Sequence, residues 1–257
     1  GPPEPYKPWD IYTLKNKYMM KIKKEMTVLD DIDLQNLMSA LQHKEDWGIR
    51  QVSARMLGLK GDARALGPLL DALMIEDTNP VSDEMINALG HFGDPAIKAI
   101  GDALHDADPY ARNNVVRALG HMNHDRAVEF LVSALKDDDI SVRVSAVNSL
   151  YVKSDSCSYR ALTGVLDSED WPLIKKSFDC FLHMGISGSE PVLIKALNQP
   201  SKERSNVEEY DMAIGFLNSG NRHLEEAARE WAKQHGYSVS NAPNNPNSIF
   251  ATPKWGK

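Results

Sequence analysis

Cysteine is scarce in this 257-residue chain, where only Cys157 and Cys180 occur. Two cysteines exclude a disulfide framework and a four-cysteine zinc site, and without a Cys-x-x-Cys-His run they exclude covalent attachment of a c-type haem. They fall in adjacent sequence repeats, which leaves one optional bridge or, preferably, two free thiols. No run of about 18 apolar residues occurs, so no helix is expected to cross a membrane. Basic charge is also in deficit. Lys and Arg total 29 against 36 Asp and Glu, a formal net charge of −7. This argues against a dedicated nucleic-acid binder, whose affinity comes largely from clustered cations on phosphates. The chain has no Gly-x-Ser-x-Gly, no Walker loop, no Gly-x-Gly-x-x-Gly and no Asp-x-Asp-x-Asp-Gly calcium loop.

What is present is repetition. Leucine recurs at Leu41, Leu73, Leu104, Leu135, Leu166 and Leu197, about 31 residues apart. Four positions upstream of the last five stand Leu69, Ile100, Leu131, Leu162 and Leu193, and a second column runs through Leu57, Leu89, Leu119, Leu150 and Leu182. A period of this length marks a solenoid, in which each unit buries its apolar face only by stacking on its neighbours. The unit is clearest at 109–139. Its first helix carries Val115, Val116, Ala118 and Leu119 and stops near Gly120–Asn123; its second carries Ala127, Phe130, Leu131, Ala134 and Leu135. Helices of a dozen residues are marginal alone, so packing between units must stabilise them. The leucine columns are expected to form its buried spine, each side chain contributing about 1.5–3 kcal/mol.

The spacing predicts an all-α, right-handed α-solenoid of about six to seven helical pairs. Residues 1–10, with four prolines, read as an extended arm. Residues 11–45 read as a capping helix pair: Ile11, Leu14, Tyr18, Ile22 and Met26 form one apolar stripe, and five lysines with Glu25 give residues 11–26 a charge of +4. Repeats then fill 46–236. The last departs from the pattern, with Phe216-Leu217-Asn218 in place of Ala-Leu-Gly and Trp231 in place of a column aliphatic, as terminal caps do. Residues 237–257 are rich in Asn and Pro and read as a second extended arm.

These units resemble HEAT repeats, in particular the short repeats of phycobilisome-lyase-type HEAT proteins. The matching residues are Asp46/Arg50 with Met56-Leu57-Gly58 and Gly61-Asp62, Asp108/Arg112 with Ala118-Leu119-Gly120, and Asp139/Arg143 with Ser149-Leu150. The resemblance covers roughly residues 30–236 and implies protein–protein scaffolding most often, with catalysis only in special branches. One such branch, the deoxyhypusine hydroxylases, binds iron through recurrent His-Glu pairs, and this chain has no His-Glu dipeptide. HEAT-like alkylpurine glycosylases use a basic concave face, whereas the second-helix positions here include Asp71, Asp102, Glu129 and Asp167. Bilin lyases have no short motif whose absence would exclude them.

The turns between repeats are acidic: Glu76-Asp77, Asp106/Asp108, Asp137-Asp138-Asp139 and Asp167/Glu169/Asp170. Asp108, Asp139 and Asp170 are expected to cap the helices they precede, leaving the other acids as solubilising charge or a landing edge for a basic partner. The opposite edge collects His91, His121, His124 and His183; no thiol or carboxylate completes a metal set there, and no metal or cofactor is expected.

The reading is therefore a non-catalytic scaffold or assembly subunit binding other protein subunits. The alternatives are a bilin lyase or isomerase acting on a tetrapyrrole and, disfavoured by the charge, a nucleic-acid accessory factor. No small-molecule ligand is expected. The candidate partner-binding residues are Tyr6 and Trp9 in the first arm, Lys21, Lys23 and Lys24 in the basic helix, and Phe250 and Trp255 in the second arm. A soluble chain is expected, its compartment left open: cytoplasmic, or exported or periplasmic if Gly1 is a mature N-terminus rather than the scar of a cleaved tag.

Overall fold

The computed structural model describes residues 31–106, 108–185, 188–199, 206–240 and 254–256. The arm 1–10 and the basic helix 11–26, with Tyr6, Trp9, Lys21, Lys23 and Lys24, lie outside the described residues, as does Phe250. The described chain is an all-α solenoid with a short strand pair at its end. It divides into two compact units, the break falling between Lys153 and Ser154.

The first unit contains α1 (Asp31–Ala40), α2 (Trp47–Lys60), α3 (Leu66–Ile75), α4 (Asn79–Gly90), α5 (Asp94–Ala103), α6 (Pro109–His121), α7 (Asp125–Ala134) and α8 (Ile140–Lys153), with a 3-10 turn at Ala63–Ala65. From α2 to α7 the helices come in antiparallel pairs joined by short turns, and α1 lays Leu34, Leu37 and Ala40 onto the first pair. An Asp opens several helices for a local reason. Asp46 Oδ1 accepts from the Gly48 and Ile49 amides at 2.8 and 3.3 Å, Asp108 from Tyr110 at 2.9 Å and Asp139 from Ser141 at 2.8 Å. Each satisfies amides that the first helical turn leaves without partners. Gly61 ends α2 at φ 65°, a conformation that favours glycine.

The second unit contains α9 (Ser156–Leu166), α10 (Trp171–Met184), α11 (Glu190–Asn198), α12 (Asn206–Leu217) and α13 (Arg222–Gln234). Asp155, Asp170 and Asn221 cap α9, α10 and α13 through the Ser158, Leu173 and His223 amides. Two three-residue strands, β1 (Ser238–Ser240) and β2 (Lys254–Gly256), pair antiparallel, with Val239 opposite Trp255.

The columns are the core, with one correction. Leu69, Ile100, Leu131, Leu162 and Leu193 are at most 1% exposed, and Leu57, Leu89, Leu119 and Leu150 are fully buried. Leu41, Leu73, Leu166 and Leu197 are buried as well, but Leu104 and Leu135 are only half-buried. These two are the C-caps of α5 and α7, where the chain is already leaving the helix. Leu73 stays buried because α3 runs on to Ile75. Leu182 is half-buried too, and Phe181 beside it is buried. In the last pair Phe216 is buried and stacks on Phe178 of α10 with ring centroids 5.1 Å apart; Trp231 is 2% exposed.

Glycine sets how closely the first helices approach. A Cβ on Gly58 of α2 would lie 2.6 Å from Ala88 Cα in α4, and one on Gly120 of α6 would lie 2.8 Å from Ser149 Cβ in α8. At the second crossing Ser149 Oγ donates to Val116 O at 3.0 Å. Helices α2/α4 and α6/α8 therefore pack along their lengths, whereas α4 meets α6 less extensively and α6 also leans on α3. Asn114 of α6 reaches past the intervening pair, its Nδ2 donating to Leu73 O at 2.9 Å and Glu76 O at 3.1 Å.

Candidate protein-binding surface

The turns joining one helical pair to the next are acidic, and much of their charge is engaged within the protein. Arg50 of α2 donates through Nε and Nη2 to both carboxylate oxygens of Glu76, at 2.7 and 2.9 Å, and through Nη1 to His43 O at 2.8 Å. Glu76 also accepts from the Thr78 amide at 3.0 Å, and its backbone carbonyl accepts the Tyr110 hydroxyl at 2.7 Å. Its side chain is 4% exposed and that of Arg50 13%. The pattern recurs one crossing on. Arg112 holds Asp137 through Nε and Nη2 at 2.9 and 2.8 Å, takes Asp138 Oδ1 at 2.6 Å and donates to Asp106 O. Arg143 donates to Asp137 O and Asp138 O at 2.9 and 3.1 Å.

These bonds set the electrostatics of the edge. The paired carboxylates hold the Arg50 and Arg112 guanidiniums above the usual arginine range, Glu76 through its hydrogen bonds and Asp137 likewise. Burial pushes the Asp137 carboxyl up, but hydrogen bonds from Arg112 and the Asp139 amide outweigh it, and its pKa lies below the ordinary value. Asp139, bonded by the Ser141 hydroxyl and amide, is also lowered. Buried arginine forks of this kind are planar, bidentate clasps.

On the second helices, Asp71, Asp102, Glu129 and Asp167 are each exposed, as their spacing predicts. Lys98 pairs with Asp102 at 2.9 Å along α5. In the turns within pairs of the first unit His91 and His121 are exposed and His124 Nε2 lies 2.9 Å from Asp94 Oδ1, and in the second unit His183 is exposed. Among the described residues no group of three or more His, Cys, Asp or Glu is placed to hold a metal ion. Cys157 is exposed and Cys180 buried, both as free thiols, and burial pushes the Cys180 thiol up.

The end of the second unit is aromatic. The Trp231 ring stacks against His235 at 4.3 Å and against Tyr237 at 5.9 Å, and Tyr210 tilts onto Tyr237 at 5.8 Å. A shallow cavity of about 510 Å³ opens here, lined by Ile194, Leu197, Glu209, Glu230, Trp231 and His235 among others. Of the sequence-derived anchors, only Trp255 falls on described residues, and its backbone is tied into the strand pair. The Arg50 and Arg112 clasps had a partial signal in the sequence, since each arginine finds its acid about 26 positions on, just past the following helix.

No described helix is long and apolar enough to cross a membrane. Comparison with solved structures finds helical-repeat proteins. A structure from a study of microtubule plus-end tracking by XMAP215, CLIP-170 and EB1 is 15% identical over 69% of this chain and 86% of that one, with a TM-score of 0.50. The CpcE–CpcF complex of the phycocyanin lyase of Nostoc sp. PCC7120 is 18% identical over 86% and 85% of the two chains, at a TM-score of 0.33. Human deoxyhypusine hydroxylase in complex with glycerol is 15% identical over 88% of each chain, at 0.31. At such identity the likeness at 0.50 speaks for the fold alone. No curated protein matches the sequence significantly. The family profile described as HEAT repeats matches residues 34–100 and 97–178, more than half of the chain. The paired helices, the Asp caps and this match agree, and the chain belongs to the HEAT-repeat family.

Proposed function

We propose that this protein is a non-catalytic scaffold or assembly subunit that binds other proteins through its solenoid surface and terminal segments. One observation carries the reading: the turn residues that could have formed a reactive cluster are engaged within the repeats, Glu76 by Arg50 and Asp137 by Arg112. The outward faces of the helices are then left as extended surfaces, which is how solenoids engage partners. The terminal anchors Tyr6, Trp9, Lys21, Lys23, Lys24, Phe250 and Trp255 belong to the same proposal. Aromatic side chains among prolines bury large area with few rotatable bonds.

Crosslinking the full chain in extract of its native source, followed by mass spectrometry, tests the reading. A stoichiometric protein partner is expected. Removing residues 238–257 is expected to weaken capture of that partner while leaving the helical content and melting temperature nearly unchanged, and Trp255→Ala alone to weaken it at least tenfold. Absence of any stoichiometric protein partner sinks the proposal. So does a new visible absorption band after incubation with a free bilin, which would assign the chain to chromophore chemistry.

A further inference from the structure

Large apolar side chains are exposed at seven described positions, and four of them, Trp47 (51%), Ile75 (67%), Tyr110 (46%) and Ile140 (42%), lie on the edge between pairs in the first unit. Hydrogen bonds connect their neighbourhoods. Trp47 opens α2 three residues before Arg50, which clasps Glu76; Ile75 directly precedes Glu76, and the Tyr110 hydroxyl bonds Glu76 O. Arg112, two residues after Tyr110, holds Asp138, two residues before Ile140. The four side chains thus form a discontinuous apolar ridge along the edge of the turns, with none contributed by the α4/α5 pair. Exposed apolar groups gathered on one face, with Trp and Tyr among them, are the composition of an interface core.

The surrounding charge selects the occupant. The four turns at 41–46, 76–78, 104–108 and 135–139 contain nine carboxylates and two lysines. The three arginines that offset them, Arg50, Arg112 and Arg143, bond to the turns themselves. Asp77 and Asp108 are exposed, and the Asp138 side chain is 92% exposed despite its bond to Arg112. We propose that this ridge docks a basic amphipathic segment of a partner protein, its apolar side chains on Trp47, Ile75, Tyr110 and Ile140 and its Lys and Arg against the flanking carboxylates. This deepens the scaffold reading and rests on it. Neighbouring helices pack 8–10 Å apart, so a ridge spanning four pairs is about 30 Å long, which matches about 20 residues of helix.

The test uses the full chain and two labelled peptides of one amphipathic helical pattern, one of Leu and Lys and one of Leu and Glu. Binding is read by fluorescence anisotropy. The Leu/Lys peptide is expected to bind, more weakly as salt rises, and the Leu/Glu peptide to bind at least tenfold more weakly. The double variant Trp47→Ser, Ile75→Ser is expected to lose at least tenfold in affinity for the Leu/Lys peptide with its helical content retained. Leu59→Ser, Val152→Ser, which removes exposed apolar side chains elsewhere, should lose none. Tyr110 is left in place because its hydroxyl bonds Glu76. Equal losses in the two double variants, or equal binding of the two peptides, would overturn the proposal. A wild-type dimer that the Trp47/Ile75 variant converts to monomer would also overturn it, making the ridge a self-interface. If the variant captures every native partner that the wild type captures, the ridge fails while the scaffold reading stands. If the wild type captures none, the scaffold reading itself fails.

Discussion

Arg50 and Glu76, 26 residues apart, meet in a bidentate clasp at 2.7 and 2.9 Å, and the Glu76 carbonyl receives Tyr110 and Asn114 from two pairs further on. One short turn therefore ties three successive pairs together. Glu76→Gln would leave the mostly buried Arg50 guanidinium without its counter-charge. A loss of roughly 3 kcal/mol is expected in urea denaturation. Arg55→Gln, which removes an arginine 59% exposed in its pair with Glu84, should cost less than about 1 kcal/mol. Similar losses would mean that the clasp contributes no more than a surface pair.

Leu131 and Leu135, four residues apart, should respond differently to truncation. Leu131 is fully buried, and Leu131→Ala is expected to cost about 2–5 kcal/mol by leaving a cavity. Leu135, half-buried at the cap of α7, should cost clearly less. Denaturation curves of the two variants decide this, and equal losses would contradict the observed register.

Glycine substitutions should split by sign. Gly120→Ala would push a methyl group to within 2.8 Å of Ser149 and is expected to destabilise by about 1–3 kcal/mol. Gly164, inside α9, has nothing within 4 Å of where its Cβ would sit. Gly164→Ala is therefore expected to stabilise by up to about 1 kcal/mol through helix propensity. Thermal melts of the two variants should move in opposite directions.

Acid should weaken the turns. The Asp137 carboxyl lies below its ordinary pKa, so it binds a proton less readily folded than unfolded. Its contribution is complete above the unfolded value of about 4 and is lost as pH falls through the folded one. Asp137→Asn should be less stable than wild type at pH 7, with the gap closing below about pH 4. Urea midpoints measured from pH 7 to pH 3 check the sign; a gap that widens on acidification would refute it.

The two thiols should be told apart by a disulfide-exchange reagent. Exposed Cys157 is expected to react in the native protein, and buried Cys180, its thiol pushed up by burial, only after denaturant is added. Native-state titration of both thiols would contradict the burial of Cys180.

The helices were legible because their signal is local and periodic. The 31-residue step placed the pairs, and Asp46, Asp108 and Asp139 announced the starts of α2, α6 and α8. Leu135 misled because a column position carries no mark of where its helix ends, and α7 stops one residue earlier. The clasps were half visible. An Asp four residues before Arg50 or Arg112 suggests a local partner, yet both arginines turn instead to acids beyond the next helix. The ridge was invisible in the sequence, since Trp47 and Ile140 sit where an apolar residue could equally be buried, as Trp171 is at the corresponding position in α10.

The bonds from Asn114 to Leu73 O and Glu76 O have a consequence for how this array can change length. Where every unit touches only the next, a module can be cut out or duplicated and the ends rejoined. Here the pair α4/α5 is bracketed by neighbours that hold each other. Its removal would shift Asn114 and Tyr110 away from the carbonyls they fit. Deleting the α4/α5 pair is therefore expected to break the Asn114 and Tyr110 bonds as well as the pair's own contacts.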